Sequence, residues 1–163
     1  MTGDVVIRLL AEGDREMVGA WMRAHWGGSI VVVHDTIYRP EDLPGFVAEQ
    51  DGKWVGLVTY RIADRACEVV TLDSIAEGRG TGTALMDKVR EQAVDAGCER
   101  IWLVTTNDNL HALGFYQKRG YRLTRVVPGA VDRSREIKPQ IPDIGMNGIP
   151  IRDELELEMM LNS

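Results

Sequence analysis

The fold of this chain is decided by residues 67–97, which read CEVVTLDSIAEGRGTGTALMDKVREQAVDAG. The first nine of these residues are largely β-branched and apolar, which predicts a strand. Three glycines within the five residues 78–82 then allow a sharp turn and let a ligand approach the backbone closely. The remainder places its apolar side chains on one helical face, and Gly97 stands where that helix would end. The free N–H groups of a glycine loop at a positive helix end predict an anion site, and phosphate is the usual anion.

Three kinds of phosphate-binding loop have patterns that can be compared with this one. A P-loop requires a lysine directly after its last glycine, and no lysine follows Gly80 or Gly82. A dinucleotide fingerprint requires Gly-x-Gly-x-x-Gly, and neither register of these glycines ends on a glycine. The loop instead resembles the acetyl-CoA pyrophosphate loop of the GCN5-related N-acetyltransferase (GNAT) family, whose pattern is Gln/Arg-x-x-Gly-x-Gly/Ala. Gly80 and Gly82 match this pattern, and Glu77 stands where Gln or Arg is usual.

A second stretch, residues 102–121, strengthens the resemblance. It reads WLVTTNDNLHALGFYQKRGY and is similar to the next GNAT motif, in which a strand precedes an Asn, an Ala, an aromatic–Tyr pair and a Gly–aromatic pair. The matching residues are Asn109, Ala112, Phe115, Tyr116, Gly120 and Tyr121. The resemblance covers residues 5–127. It implies an α/β (α+β) fold, the GNAT acyl-CoA N-acyltransferase fold, with a mixed, mostly antiparallel central sheet flanked by helices on both faces.

The other patterns in the chain fit the element order β-α-β-β-β-α-β-α-β-β. Asp51-Gly52 between two apolar runs predicts a tight β-hairpin. Residues 128–150 hold four of the six prolines and show little periodicity. We expect this Pro/Gly-rich loop to be functional or mobile, either as a lid or wall of the acceptor pocket or as a homodimer contact. Residues 151–161 alternate between apolar and charged side chains, which predicts a half-buried last strand.

Composition limits the class of protein. The 163 residues suit a single domain spanning 1–163, and 44% hydrophobic with 27% charged residues are typical of a folded, soluble chain. A net charge of −6 argues against nucleic-acid and anionic-membrane partners. Two cysteines make no disulfide framework, and the start of the chain lacks the pattern of a signal peptide. We therefore expect a cytoplasmic protein without a membrane span.

The resemblance implies acetyl-CoA as co-substrate and assigns residues to its binding. The glycine loop would hold the pyrophosphate, Arg79 could add a charged contact, and the backbone of the central strand would pair with the pantetheine arm. The expected cofactor-binding residues are Leu72, Ser74, Glu77, Gly78, Arg79, Gly80, Thr81, Gly82, Thr83, Asn109, Ala112 and Tyr116. No metal is expected, because the three histidines have no partners at ligand spacing.

Catalysis needs an acid for the departing thiolate and a way to deprotonate the amine. The resemblance assigns the acid role to Tyr116, although an aromatic at this spacing could also belong to the core. Some family members carry a Glu base on the central strand at the position of Ala66, and Glu68 lies two residues on, on the same strand face. Glu68 could equally be a solvated or ion-paired carboxylate. Asp73 faces the opposite side unless a bulge turns it, and His25 lies where the acceptor pocket would have its wall.

The expected function is acetyl transfer from acetyl-CoA to a primary amine by direct attack on the thioester. The acceptor is expected to be a small-molecule or peptide amine, and the residues do not name it. The sequence is also compatible with two alternatives: an acyltransferase that uses a longer acyl-CoA, and a CoA-binding regulatory or sensor domain without turnover. The unusual Glu77 and Ala66 keep the second alternative open.

Overall fold

The computed structural model describes residues 3–75 and 80–161. The elements are β1 (Val6–Leu9), α1 (Arg15–Trp26), β2 (Val31–Val33), β3 (Thr36–Tyr38), β4 (Gly45–Gln50), β5 (Lys53–Ala63), β6 (Ala66–Ser74), α2 (Thr81–Asp95), β7 (Arg100–Thr106), α3 (Leu110–Lys118), β8 (Arg122–Val127), α4 (Ala130–Ile137) and β9 (Glu154–Met160). The predicted binding residues Glu77, Gly78 and Arg79 lie outside the described residues.

Seven strands form one sheet in the order β1-β4-β5-β6-β7-β9-β8, and β2 and β3 form a separate hairpin. Neighbouring strands of the large sheet are antiparallel except for the parallel pair β6 and β7. One face packs a core with α2 and α3, and the other packs a second core with α1 and the β2–β3 hairpin. The predicted fold class, a mostly antiparallel sheet with helices on both faces, is therefore confirmed.

A β-bulge in β6 decides which side chains share a face of the sheet. Thr71 pairs with Thr59 and Val69 pairs with Tyr60, so Val70 is an extra residue in β6. One extra residue reverses the alternation of side chains along a strand. Asp73, which strict alternation would place opposite Glu68, consequently lies on the same α1 face of the sheet.

Most predicted elements are present, with shifted ends. The hairpin around Asp51-Gly52 joins β4 and β5, and Gly27 ends α1 in the left-handed conformation with φ of 73°. Residues 128–150, expected to form a Pro/Gly-rich loop, include the helix α4. Its eight residues carry too few apolar side chains for a clear helical pattern. Tertiary contacts stabilise it instead: Arg135 donates hydrogen bonds of 2.7 Å to the carbonyl oxygens of Pro142 and Ile151.

Candidate active site

The central feature of the site is a gap between two parallel strands. β6 and β7 pair from Ala66 and Arg100 to Val69 and Leu103, and neither strand pairs with the other beyond that point in the described residues. Both continue, β6 paired with β5 and β7 paired with β9. A wedge therefore opens between residues 70–74 of β6 and residues 104–106 of β7.

The backbone of β6 presents hydrogen-bonding groups to this wedge. The N–H of Ile75 donates to the carbonyl of Val55 on β5 at 2.9 Å. Because alternate residues of an antiparallel strand point their N–H and C=O groups to opposite sides, the groups of Leu72 and Ser74 point away from β5. These two residues, expected from the sequence to bind the cofactor through their backbone, thus face the wedge.

The first turn of α2 follows the glycine loop. Gly80 adopts the left-handed conformation with φ of 72°, and Thr81 begins the helix. Gly82 lies against the ring of Phe115, where an added Cβ would come within 3.2 Å of the ring. Thr83 accepts a hydrogen bond of 2.7 Å from Nε of Arg119.

Arg119 is a candidate binding residue that sequence reasoning missed. Its guanidinium lies 3.6 Å from the centre of the Phe115 ring and donates to the Phe115 carbonyl at 2.8 Å. These contacts hold a permanent positive charge beside the first turn of α2, where an anion would be favoured. Its position directly before Gly120 gave no signal, because only the packing of α3 against α2 brings it to Thr83.

The predicted α3 residues lie at the start and on the inner face of that helix. The side chain of Asn109 accepts a hydrogen bond of 3.1 Å from the N–H of Ala112, so Asn109 is the N-cap. Asn107, the alternative cap, is engaged elsewhere: its side chain binds the carbonyl of Pro150 and the N–H groups of Arg152 and Asp153.

Tyr116 is buried, with 8% of its surface exposed. Its ring makes edge contacts with Phe115 and Tyr121 at centroid distances of 5.2 and 5.6 Å. Burial raises the pKa of the phenol, so it stays protonated and able to donate throughout the neutral range. Tyr116 is thus part of the core beside α2.

Glu68 is neither solvated nor free, as only 3% of it is exposed. Its Oε1 accepts a hydrogen bond of 2.5 Å from the Tyr38 hydroxyl, and its Oε2 lies 2.7 Å from Nε2 of His34. The carboxylate is therefore the buried centre of a network with the β2–β3 hairpin. The sequence missed both partners, because the path of residues 29–38 could not be assigned from its pattern.

His34 occupies an unusual backbone conformation at the tip of this hairpin. Its φ is 40°, and that of the next residue, Asp35, is 60°. The buried carboxylate of Glu154 on β9 accepts the backbone N–H of His34 at 3.1 and 3.2 Å. Burial raises the pKa of Glu154, and these backbone contacts oppose the shift. The hairpin tip is thus held against two strands of the sheet.

Another carboxylate on the same face, that of Asp73, lies against α1. Oδ2 of Asp73 accepts hydrogen bonds from the indole N–H groups of Trp21 and Trp26, at 3.1 and 2.7 Å. Burial raises the pKa of Asp73, and the two indole contacts only partly offset it. The ring of His25 packs against that of Trp21 at a tilt of 38°, with a centroid distance of 4.1 Å. The end of α1 therefore lies beside residue 73 of β6, next to the wedge.

The segment after β8 also reaches this side. α4 lies against β2, and Nζ of Lys138 donates to the carbonyl oxygens of Trp26 and Ile30 at 3.4 and 3.0 Å. Removal from water lowers the pKa of Lys138. Part of residues 128–150 is thus attached to the end of α1.

Residues 3–75 and 80–161 contain no group of three or more His, Cys, Asp or Glu side chains placed to hold a metal ion. None of the helices in the described part of the chain is long and apolar enough to cross a membrane.

Comparison with known proteins gives one family and one fold. The model of the acetyltransferase (GNAT) family matches residues 13–121. The chain is 46% identical over 144 residues to the uncharacterised protein YxbD of Bacillus subtilis (strain 168), and the match covers 88% of this chain and 91% of YxbD. An IAA acetyltransferase from Bacillus cereus ATCC 14579 has a similar structure, with a TM-score of 0.71 at 20% identity, covering 97% of this chain and 100% of that one. A Bacillus subtilis acetyltransferase in complex with CoA gives a TM-score of 0.71 at 19% identity, covering 98% and 100%.

Proposed function

Because the chain belongs to the acetyltransferase (GNAT) family, we propose that it transfers an acetyl group from acetyl-CoA to a primary amine that attacks the thioester directly. The reaction has four needs: an unprotonated amine, a polarised thioester carbonyl, a proton for the departing thiolate and an anchor for the CoA tail.

The wedge between β6 and β7 is the observation that carries this proposal. It is open on the side of β6 where Leu72 and Ser74 present backbone groups, and these would pair with the amides of the pantetheine arm. Val70, the extra residue of the bulge, lies where the strands part. Since a bulged residue is left without a ladder partner, its N–H would be available to polarise the thioester carbonyl.

Anchoring falls to the loop and first turn of α2, which include Gly80, Thr81, Gly82 and Thr83, together with Glu77, Gly78 and Arg79. Asn109 and Ala112 would support the cofactor from the start of α3. Arg119 adds a cation beside Thr83 and would contact a phosphate of CoA.

Tyr116 would protonate the thiolate as the thioester breaks. Its raised pKa keeps the proton on the phenol until a base forms next to it. Glu68 would act on the amine from the opposite face of the sheet through its partners, because both of its oxygens are already engaged.

The amine would be a small molecule or a peptide. It would approach from the α1 face, between the end of α1 and the β2–β3 hairpin. Asp73, Glu68 and Glu154 make this face acidic, which suits an acceptor that arrives as a cation.

Release of free CoA thiol tests the proposal, with acetyl-CoA and four probe acceptors: spermidine, kanamycin, free lysine and a peptide with an N-terminal alanine. We expect turnover with at least one probe. Acetyl-CoA at ~100 times its dissociation constant should add about 2.7 kcal/mol to the free energy of unfolding and raise the melting temperature.

Binding of acetyl-CoA without turnover would favour a sensor or regulatory domain. Turnover only with a longer acyl-CoA would identify an acyltransferase of different specificity. A melting temperature that responds to a nicotinamide or adenine nucleotide, and not to acetyl-CoA, would overturn the proposal.

A further inference from the structure

His34 and Asp35 form the two-residue turn that joins β2 and β3. Both residues have positive φ, as tight hairpin turns of this kind require, and His and Asp are among the residues that tolerate this region. Glu154 accepts the backbone N–H of His34 and Glu68 lies within hydrogen-bond distance of its ring, so both contacts fix the position of the imidazole.

One ring nitrogen of His34 is hydrogen-bonded to a carboxylate. Nε2 lies 2.7 Å from Oε2 of Glu68, while the Tyr38 hydroxyl donates to the other oxygen of that carboxylate. Nδ1 lies 3.2 Å from the hydroxyl of Thr36, which can also donate to the carbonyl of His34 at 3.3 Å. With Nε2 protonated toward Glu68, Nδ1 carries the lone pair and can accept a proton.

The accessible member of this network is the histidine. The side chain of His34 is 25% exposed, compared with 4% for Glu68. The ring also packs on Trp102 with a centroid distance of 5.2 Å. A substrate or a water molecule can therefore reach the imidazole more readily than the carboxylate.

The network lies close to where the strands part. Glu68 pairs with Trp102, one pair before the last pair of the β6–β7 ladder, and it is two residues before the bulged Val70. At roughly 3.3 Å per residue, this is about 7 Å along the strand. An amine at the thioester would therefore lie close enough to a ring held above Glu68 for proton transfer, either direct or through a water.

We propose that His34 is the general base of the acetyl transfer and that Glu68, held by Tyr38, is its positioning residue. This inference rests on the proposed function. An N–H bond of the acceptor ammonium breaks, and Nδ1 of His34 takes the proton directly or through one water. The freed lone pair of the amine attacks the thioester carbonyl, and the buried carboxylate stabilises the imidazolium. As the carbon–sulfur bond breaks, Tyr116 protonates the departing thiolate, and the second proton that the nitrogen loses as the amide forms restores the phenol through water. The proton on His34 then leaves to solvent from the exposed part of the ring.

The charged groups around the ring agree with this role. The hydrogen bond to Glu68 raises the pKa of His34, burial opposes the rise, and the charge of Glu154 adds to it. A higher pKa makes the imidazole a stronger base, because its pKa then lies closer to that of the ammonium group it must deprotonate. The other charges on neighbouring elements are Asp35 on the turn, Arg133 on α4, which pairs with Asp35 at 3.0 Å, and Arg61 on β5, which acts on Tyr38.

His34→Asn is the decisive variant, because asparagine tolerates positive φ and so preserves the turn. With the best of the four probe acceptors, kcat near neutral pH should fall by about 10²–10⁴-fold while the affinity for acetyl-CoA is unchanged. The loss should shrink as the pH rises and the acceptor deprotonates without help.

Two further variants separate catalysis from structure. Glu68→Gln should move the acidic limb of the kcat/KM profile to lower pH, since His34 loses the partner that raises its pKa. An NMR titration of the ring should show the same downward shift without any substrate. Asp35→Asn is the control, because it places asparagine at the other positive-φ position of the turn and removes only an exposed ion pair. The acidic limb of its kcat/KM profile should stay at the wild-type pH.

Each result decides between the hypotheses. An active wild type whose pH profile survives in His34→Asn would overturn the inference. A loss of kcat that is equal at every pH and accompanied by a lower melting temperature would also overturn it, because His34 would then stabilise the fold without acting as a base. A wild type that acetylates none of the probes would instead refute the proposed function.

Discussion

Tyr116→Phe removes one oxygen from the centre of the proposed site and leaves the packing in place. The ring keeps its edge contacts with Phe115 and Tyr121, at 5.2 and 5.6 Å. The side chain is buried and changes little in volume, so we expect the free energy of unfolding to change by at most about 1 kcal/mol.

The expected effect falls on the chemical step. General acid catalysis is typically worth about 10²–10⁴-fold, or roughly 2.7–5.4 kcal/mol of activation free energy. Burial raises the pKa of Tyr116 above the ordinary value near 10, whereas a thiol has a pKa near 8.5. Full proton transfer to the thiolate is therefore uphill. We accordingly expect kcat to decrease by about 10²-fold, at the lower end of the range for general acid catalysis.

Thiol release at saturating acetyl-CoA measures kcat, and calorimetric titration measures the affinity for acetyl-CoA. Tyr121→Phe is the matched control, because it deletes the same oxygen from the buried ring next to Tyr116. It should leave kcat within about twofold. A Tyr116→Phe enzyme with wild-type kcat would refute the acid role and leave Tyr116 as a core aromatic. A loss of affinity at unchanged kcat would make it a binding residue.

Three other substitutions test the surrounding site. Gly82→Val should abolish acetyl-CoA binding, because its side chain would occupy the space that Phe115 and the pyrophosphate need. Gly97→Val, at a φ of 76°, is the control: it should lower the melting temperature and leave the affinity per folded molecule unchanged. Lys138→Met should change KM for the acceptor several-fold without changing the affinity for acetyl-CoA, because it detaches α4 from the end of α1. Asp73→Asn should flatten the pH dependence of stability. The folded state holds the proton of Asp73 more tightly than the unfolded chain does, so the wild type gains stability as the pH falls from neutral toward about 4, and the variant should lack this gain.

Each of these predictions can be contradicted by one measurement. Equal loss of acetyl-CoA affinity in both glycine variants would mean that misfolding, and not the loop, is responsible. An unchanged acceptor KM in Lys138→Met would leave α4 without a role in the pocket. If the melting temperatures of wild type and Asp73→Asn change with pH by the same amount, Asp73 has the same pKa in the folded and unfolded states.

The sequence determined the elements whose signals are local. The hairpin at Asp51-Gly52 and the left-handed end of α1 at Gly27 follow from backbone preferences within a few residues. The strand and the helix within residues 67–97 follow from periodicity, and the motif around Tyr116 follows from the family resemblance. Helix α4 was missed because its stability comes from contacts of Arg135 and its buried face with distant chain.

The tertiary structure decided which side chains meet at the site. His34 and Tyr38 reach Glu68 across 34 and 30 residues of sequence, and no local pattern encodes such a pairing. The side of the sheet on which Asp73 lies depends on the bulge at Val70, and that bulge exists only in the register between β5 and β6. Burial of a carboxylate and the pKa shift of its partner depend on what covers it, which in this protein is the β2–β3 hairpin. Short-range patterns in the sequence therefore identified most residues that we propose bind the cofactor, whereas long-range packing decided which side chains surround the proposed acceptor pocket.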